Sequence, residues 1–475
     1  MEGDRGKCSI VDGESTSIII NDAPTVEDLK KNIEAQLLSH SPLLSSCCIF
    51  KVPEVIRRQK EHAYEPNIVS IGPFHRGNEK FQLFEDVKRW YLHCLLDSSK
   101  DVLTLESLIK VIMELAKSAR ACYVADPLHG DLNPKDFVEM MILDGCFLLE
   151  LFRKARYYDL QNENDPVFNV SCMLEHLYHD LLLLENQLPW SVLERLYNLT
   201  ANRPSQRCHS LTSLVLNFFR QSDVDNLMLN PNFELPDEIL HILDLIRAVI
   251  VFKETPSVEK QQNKEGGKGK CIMNIFKNGV FTKAKTRKGS NLSHRIPNAT
   301  SLSEAGVRFE KSQNKEEGKG ECIMNIKFKD GVFTIPPLGI DEKTEPLFRN
   351  LIAFEQCYHD RSHKITSYAV LMDNLIDSRE DIDFLCDKGI LANWLNPDDA
   401  AQFFNKLYDD TSVMGYYYSG LSDDVNTYYK TKWHKFMETL RRDYFSTPWR
   451  IVSFIAAFIL LVLTLVQTLY TIRWP

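Results

Sequence analysis

The sequence predicts a mainly α-helical protein, with a large helical body, a small β-hairpin region and one C-terminal transmembrane helix. Apolar residues recur at three- and four-residue intervals through most of residues 25 to 250, which is typical of helices that bury one face. Alternating residues flank a Lys329-Asp330-Gly331 turn, as in a β-hairpin. The segment at residues 451–472 is apolar and carries no charge, which indicates a membrane span.

The composition is that of an ordinary globular protein. Of the 475 residues, 44% are hydrophobic and 25% are charged, which excludes a wholly disordered or collagen-like chain. The formal net charge of −9 argues against a generic nucleic-acid binder, because such a domain normally carries an excess of basic residues. We therefore expect no nucleic-acid partner.

The twelve cysteines contain no Cys-x-x-Cys pair and no Cys/His spacing typical of a closed zinc site. Cys47 and Cys48 are adjacent, while Cys146, Cys172 and Cys386 lie inside apolar helical patterns. Free cysteine behaves as a small buried hydrophobe. We predict reduced core thiols, no metal site and no cofactor.

An N-terminal helical lobe is predicted at residues 25–252, after a disordered segment at residues 1–24. Its clearest helix carries a single buried stripe, and the residues of that stripe are Phe137, Met140, Met141, Asp144, Phe147, Leu148 and Leu151. Four polar residues near Pro189 could form an acid–base cluster, namely Asp180, Glu185, Asn186 and Gln187. Helix ends leave unpaired backbone groups that such side chains satisfy, so we interpret the four residues as structural.

A short extended run closed by turn residues is predicted at residues 67–77, which read Asn-Ile-Val-Ser-Ile-Gly-Pro-Phe-His-Arg-Gly. His75 and Arg76 in this run could bind an anion. No glycine pattern that cradles phosphate lies nearby, so we interpret the segment as a solvated turn.

A basic linker with a duplicated insert is predicted at residues 253–311. The segment that begins at Gln262 recurs from Gln313, first with an offset of 51 residues and then of 52. The second copy runs into the predicted hairpin, so we interpret it as the native copy and the first as an insertion. We expect the first copy to form an exposed loop, because a lone hairpin is marginal in water; a hairpin that adds an edge strand is the alternative.

The linker is strongly basic. Between Lys260 and Lys288 nine Lys or Arg residues accompany one acid, a net charge of +8 that leaves −17 for the rest of the chain. Beside a membrane this loop could lie on anionic lipid, each charge contributing about 1 kcal/mol; a solvated linker is the alternative. The candidate lipid-facing residues are Lys264, Lys268, Lys270, Lys283, Lys285, Arg287 and Lys288.

The hairpin and a C-terminal helical lobe are predicted at residues 312–445. A helix is expected to begin at Glu345-Pro346, and Ser378 with Asp381 resembles a capping box. The nearest approach to a metal cluster consists of Cys357, His359, Asp360 and His363. The first histidine is not followed by the glutamate of the zincin motif, so we interpret these residues as an exposed helix junction.

The predicted transmembrane helix comprises the 22 residues from 451 to 472, which span roughly 33 Å at 1.5 Å per residue, enough for a ~30 Å hydrocarbon core. A buried core helix is the alternative. Aromatic and basic residues bracket the segment, as is typical of interfacial anchors. The expected anchor residues are Trp449, Arg450, Ile451, Ile472, Arg473 and Trp474.

Charges beside this segment predict its orientation. Six Lys or Arg residues precede it within about 20 residues and only Arg473 follows it, which places the N-terminal body in the cytosol by the positive-inside rule. The acidic start of the chain does not resemble a signal peptide. We expect a single-pass, tail-anchored protein of the plasma membrane, or alternatively of an endomembrane. The sequons at Asn169, Asn198, Asn291 and Asn298 would then stay unglycosylated.

Five ordered blocks carry a family resemblance. They read SCCIFKVP at residues 46–53, AYEPNIVSIGPFHRG at 63–77, FVEMMILDGCFLLELF at 137–152, DLLLLENQLP at 180–189 and EPLFRNLIAFEQC at 345–357. Together they resemble the plant-specific family catalogued as domain of unknown function 247. The resemblance implies a C-terminal membrane segment and no assigned general activity, and it supplies no catalytic residues. Some grass members are associated with pollen–stigma self-incompatibility.

These observations favour a membrane-tethered, non-enzymatic interaction or signalling protein of plants, whose partners would be the lipid bilayer and an unidentified protein. One alternative is an unrecognised enzyme with a non-contiguous active site that uses His75, His359 or a carboxylate near Asp180. A deep pocket with converging polar groups would favour that enzyme. The second alternative, implied by the resemblance alone, is a recognition component in self-incompatibility.

Overall fold

The structure is a computed structural model that describes residues 25–37, 46–98, 103–124, 132–200, 209–220, 236, 238–251, 295–312, 322–431 and 448–473. It confirms a mainly helical fold with small sheets. The α-helices within these residues are α1 (Val26–Gln36), α2 (Glu54–Arg57), α3 (Gln82–Asp97), α4 (Leu105–Ala121), α5 (Pro134–Arg156), α6 (Ser171–Asp180), α7 (Trp190–Leu199), α8 (Leu211–Phe219), α9 (Ile242–Val251), α10 (Ala299–Glu304), α11 (Thr344–Cys357), α12 (Lys364–Leu375), α13 (Arg379–Asp387), α14 (Pro397–Lys406), α15 (Ser419–Lys430) and α16 (Pro448–Arg473). The strands are β1 (Arg308–Lys311), β2 (Lys327–Lys329), β3 (Val332–Ile335), β4 (Leu338–Ile340) and β5 (Leu391–Asn393).

The chain divides into two compact units, Met1–Ser45 and Ser46–Pro475. Helix α1 is the described element of the first unit. The Thr25 side chain accepts a hydrogen bond from the Asp28 N–H and so caps the helix. Its apolar side chains Val26, Leu29 and Ile33 are exposed.

Helix α5 lies at the centre of the second unit. The Asn133 side chain accepts from the Asp136 N–H, and Pro134 occupies the first turn, where its missing N–H costs nothing. The helix packs against α3, α4, α7 and α8, and every residue from Met140 to Ala155 is buried. The predicted single buried stripe is therefore too narrow, because partners cover this helix on all sides.

The predicted β-hairpin is confirmed. Strands β2 and β3 pair antiparallel, with Lys327 opposite Thr334. Asp330 and Gly331 between them both have positive φ, 51° and 77°, as a two-residue type I′ turn requires. A side chain at position 331 would also meet the Tyr428 ring, whose Oη would lie 2.5 Å from the added Cβ.

Two parallel pairings were not predicted. Strand β1 pairs parallel with the free side of β3, and β4 pairs parallel with β5. Parallel partners come from distant parts of the chain, and β4 and β5 are separated by the helices α11 to α13. Short strands of three or four residues give little periodic signal, so local patterns alone do not indicate them.

Helix starts in the C-terminal part follow the sequence signals. Helix α11 begins at Thr344, beside the predicted Glu345-Pro346 start, and Ser378 and Asp381 form the predicted capping box. The Asp381 carboxylate also accepts from the Asn298 side chain at 3.0 Å and the Thr300 N–H at 3.0 Å. Asp381, which caps α13, thus also binds the N-terminal end of α10. Asn298 of the predicted sequon forms one of these hydrogen bonds.

Several predicted features lie outside the described residues. These are the segment 1–24, residues 253–294 of the predicted linker with the first repeat copy and its seven candidate lipid-facing cations, the sequon at Asn291, residues 432–447 and Trp474. The predicted lobe boundaries remain predictions.

Helix α16 covers the segment predicted to cross a membrane. It has 26 residues and contains Trp449, Arg450, Ile451, Ile472 and Arg473 of the expected anchor. Among the residues that the structure describes, no helix is both long enough and apolar enough to cross a membrane. The structure therefore confirms a helix over the predicted segment but not its prediction as a membrane span.

Candidate functional site

Within the described residues, the loop at residues 67–72 pairs with no strand, and side chains accept its backbone N–H groups instead. The Asp180 carboxylate accepts hydrogen bonds from three consecutive backbone N–H groups, at residues 67, 68 and 69, over 2.7 to 2.9 Å. The Asn186 side chain accepts from the Ile71 N–H at 2.6 Å, and Asp144 accepts from the Gly72 N–H at 2.8 Å. These bonds satisfy backbone donors that would otherwise be buried without partners.

A buried lysine completes this arrangement. The Lys88 ammonium is 1% exposed, donates to the Ser70 carbonyl and to Glu85 Oε1, and lies 2.7 Å from Asp144 Oδ1. Burial raises the pKa of the Asp144 carboxyl, and the Lys88 cation opposes that rise. An ammonium has three donors, and all three of these partners are oxygens. The buried ammonium therefore has three oxygen neighbours, from Ser70, Glu85 and Asp144.

Glu185 contacts groups of two segments, at residues 52–57 and at His75. Its carboxylate accepts from the Val52 N–H at 2.6 Å and from the Arg57 guanidinium, and it lies 3.5 Å from His75 Nε2. The His75 side chain is only 16% exposed. It is therefore less solvated than the turn pattern predicts, because it faces a buried carboxylate of a distant segment.

Gln187 shows why polar residues gather at the corner before Pro189. Its amide donates to the carbonyls of Leu181 and Leu183, both at 2.8 Å, just after α6. Its Oε1 accepts from the Leu243 N–H at 3.1 Å, at the start of α9. These groups are the backbone atoms that helix ends leave without partners. Asp180, Glu185, Asn186 and Gln187 thus all bind backbone groups, as the structural interpretation predicts.

The four residues at the predicted helix junction do not converge. The His359 side chain is 89% exposed and lies 3.2 Å from Asp360, whereas His363 Nδ1 is 3.0 Å from the Ser412 carbonyl. Burial raises the pKa of Cys357 to about 12, so this thiol is not activated. No group of three or more His, Cys, Asp or Glu side chains within the described segments could hold a metal ion.

The described cysteines are free thiols. Cys47, Cys48 and Cys146 are buried, as predicted, and Cys386 is half-buried. Cys172 is exposed on α6, so the prediction of a core thiol is wrong there. Cys172 lies in the first turn of α6 and is exposed although the apolar Met173 and Leu174 follow it.

An apolar groove of about 910 Å³ lies between α3, α4 and α5. Its apolar lining includes Ile109 and Met113 on α4 and Val138 and Ile142 on α5. Its charged lining residues are Lys117, Arg120, Lys135 and Glu139. We define this cavity as the α4–α5 groove. Sequence reasoning missed it, although Leu105, Ile109 and Met113 repeat at the four-residue spacing of one helix face.

A polar cavity of about 420 Å³ lies beside α11 and α14. The charged groups that line it include Lys60, Glu345 and Arg349. Lys60 forms an ion pair with Glu345, and Arg349 Nε donates to Glu345 Oε1 at 2.8 Å. Both cations thus share the Glu345 carboxylate, and Asp341, Glu342, Asp399 and Lys406 also line the cavity. The residues suggested for the enzyme alternative, His75, His359 and Asp180, line neither cavity.

His241 is a buried titratable group that predicts a dependence of stability on pH. It is fully buried at the start of α9, where Nδ1 accepts from the Asp244 N–H at 3.2 Å and the ring meets Phe354 edge-on at 4.8 Å. Burial lowers the pKa of His241 from 6.5 to about 4. Between these two pH values the unfolded chain binds a proton that the folded chain does not, so stability is lost as pH falls through this window.

We expect the protein to lose about 2 kcal/mol more of its free energy of unfolding between pH 7 and pH 5 than the His241→Asn variant. The asparagine oxygen can still accept from the Asp244 N–H but does not titrate. Urea unfolding of both chains at several pH values measures the difference. Parallel stability profiles for the two chains would contradict the prediction.

Comparison with known proteins agrees with the resemblance seen in the sequence. The family described as plant protein of unknown function, DUF247, matches residues 49–463. The Arabidopsis thaliana UPF0481 protein At3g47200 is 30% identical over 444 residues, which cover 92% of this chain and 88% of that protein. The putative UPF0481 protein At3g02645, also from Arabidopsis thaliana, is 23% identical over 521 residues, covering 93% of each chain. No solved structure matches this chain. With a family match over most of its length, the chain belongs to the plant DUF247 family.

Proposed function

We propose that this protein is a membrane-tethered, non-enzymatic interaction or signalling protein, whose body lies in the cytosol and whose helix α16 attaches it to a membrane. One observation carries the proposal: α16 leaves a run of large apolar side chains exposed. These are Val452, Ile455, Phe458, Ile459, Leu460, Leu461, Val462, Leu463, Leu465 and Val466, each 42% to 64% exposed. Soluble proteins rarely leave apolar surface of this kind in water, so a bilayer is its natural partner.

The two described cavities support binding over catalysis. The α4–α5 groove is walled mainly by apolar side chains, and in the polar cavity Glu345 is paired with Lys60 and Arg349. Catalysis by proton transfer or nucleophilic attack needs a base and a reacting group within hydrogen-bond reach of the same substrate. A partner protein that docks on the cytosolic body fits these surfaces better.

Fractionation of cells that express the full chain tests the attachment. We expect the wild-type chain in the membrane pellet, and the Leu460→Asp/Leu461→Asp/Leu463→Asp variant in the soluble fraction, because charges on the apolar surface of α16 oppose burial in lipid. The matched control is Trp394→Asp/Met414→Asp, which alters side chains of the body that are 72% and 74% exposed. It should stay in the pellet. A soluble wild-type chain, or a variant that remains in the pellet, would refute the attachment.

Protease protection tests the orientation in the same preparation. A tag before residue 1 should be digested in sealed vesicles of cytosol-out orientation, because the proposal places the body in the cytosol. A protected tag, or glycosylation at Asn169 or Asn198, would place the body on the other side.

A further inference from the structure

The α4–α5 groove has the length of an acyl chain. Its lining residues on α4 run from Leu105 to Arg120, which at 1.5 Å per residue corresponds to roughly 22 Å. An extended chain of about 16 to 18 carbons has a similar length, because each C–C bond is about 1.5 Å long and the chain zigzags. The groove volume of about 910 Å³ lies within the usual range for ligand pockets.

The apolar wall of the groove is open to a ligand. Leu105, Ile109 and Met113 are 47%, 37% and 63% exposed, although they point along the groove and not toward the polar face of α4. That polar face carries Glu106 and Lys110, which form an ion pair at 2.7 Å. A helix in a soluble body normally buries its apolar stripe, so the groove offers apolar surface that an alkyl chain could cover.

Charge is concentrated at one end of the groove. Lys117 and Arg120 belong to the last turns of α4, and Lys135 belongs to the first turn of α5. The Arg120 guanidinium lies 4.3 Å from the Phe137 ring centre and donates to the Leu132 carbonyl at 2.8 Å, which holds these two helix ends together. Among the described lining residues, the three cations Lys117, Arg120 and Lys135 accompany one acid, Glu139. The N-terminal end of α5 adds a positive helix dipole.

We propose that the α4–α5 groove binds a long-chain fatty acid, with its carboxylate beside Lys117 and Lys135 and its tail along Met113, Ile109 and Leu105. The asymmetry of the groove carries the assignment, since cations stand at one end and apolar side chains cover the rest. A neutral lipid would leave the cations without a counter-charge. An acidic amphipathic peptide is the competing ligand that the experiment separates.

Competition against a fluorescent fatty acid on the full chain tests the proposal. Palmitate should displace the probe with a saturable curve, octanoate should bind at least 10-fold more weakly, and methyl palmitate should also bind more weakly. The tail variant Ile109→Asp/Met113→Asp should weaken palmitate binding at least 10-fold. The head variant Lys117→Glu/Lys135→Glu should weaken binding of palmitate but not of its methyl ester.

Two controls separate the groove from other apolar surfaces. Leu83→Asp places the same charge on a side chain of α3 that is 72% exposed and does not line the groove, and it should bind palmitate like wild type. The α16 variant Leu460→Asp/Leu461→Asp/Leu463→Asp should also bind like wild type, so failure of membrane attachment does not affect this test.

Four results would overturn the proposal: no saturable binding, palmitate binding unchanged by both groove variants, equal binding of acid and ester, or displacement by an acidic amphipathic peptide at lower concentration than by palmitate. Thermal unfolding of every variant verifies that it is folded. If the double tail variant is unfolded, Met113→Asp alone provides the test, because that side chain is 63% exposed.

Discussion

Replacement of Lys88 by methionine is expected to lower the free energy of unfolding by about 3–5 kcal/mol, the usual cost of removing one member of a buried ion pair. The ammonium is 1% exposed and the Asp144 side chain that it faces is 0% exposed. Without Lys88, Asp144 keeps a buried charge, and its remaining hydrogen bond among the described residues comes from the Gly72 N–H. Urea unfolding of the full chain, with all variants in the same mild detergent, measures the loss.

A surface lysine provides the matched control. Lys110→Met makes the same substitution on α4, where Lys110 pairs with Glu106 and both side chains are at least 69% exposed. The expected change is within about 0.5 kcal/mol. The double variant Lys88→Met/Asp144→Asn should lose less than the two single losses combined, because the uncompensated charge is gone. Additive losses would show that the pair is not coupled.

The Lys88 variant also has an expected dependence on pH. Burial already raises the pKa of Asp144 above that of the unfolded chain, and loss of the cation should raise it further. A carboxyl with a raised folded-state pKa destabilises the fold at higher pH, and protonation relieves this penalty as pH falls. The difference between variant and wild type should therefore narrow from pH 8 to pH 5. A constant difference would mean that Asp144 does not carry the cost.

Replacement of Glu355 by alanine is expected to cost a similar amount, about 3–5 kcal/mol. Its Oε1 accepts from Arg247 Nε at 2.9 Å, and the carboxylate also accepts from the N–H groups of Ile365 and Thr366 and from the Thr366 hydroxyl. Both charged side chains are buried, with 6% and 0% exposure. Truncation thus leaves a buried guanidinium and several donors with no carboxylate to accept from them.

Asp383→Ala is the control for this second prediction. Asp383 forms an ion pair with Arg379 in which both side chains are more than half exposed. We expect a change within about 0.5 kcal/mol. Glu355→Gln should lie between the control and Glu355→Ala, since the amide oxygen can still accept from Arg247 while its NH₂ group faces other donors. A loss for Glu355→Ala as small as that of the control would contradict the role assigned to this carboxylate.

Asp144 illustrates what a sequence pattern misses. It lies in the middle of an apolar helical run. A carboxylate at such a position indicates a buried charge but does not indicate its partner. Its partner Lys88 lies on α3, and nothing within either helix indicates that the two meet. The same holds for Asp180 and the loop at residues 67–69, which are joined across more than 100 residues. Only packing brings such groups within hydrogen-bond reach.

The α4–α5 groove also arises from packing between helices. Each helix contributes apolar and basic residues that its own sequence makes visible, such as Met113 on α4 and Lys135 on α5. The concentration of cations at one end depends on how the C-terminal end of α4 meets the N-terminal end of α5. Arg120 stabilises the contact between these two helix ends, because its guanidinium lies over the Phe137 ring and donates to the Leu132 carbonyl.

By itself the sequence determined the family, the mainly helical class, the Asp330-Gly331 hairpin and the Ser378 capping box, because each depends on the periodicity or backbone preference of neighbouring residues. The tertiary structure decided which charges are paired in the core, which short strands run parallel, and where a groove remains between helices. These outcomes depend on contacts between segments distant in the chain. Their free energy comes from burial and from satisfied polar groups, which no local pattern encodes.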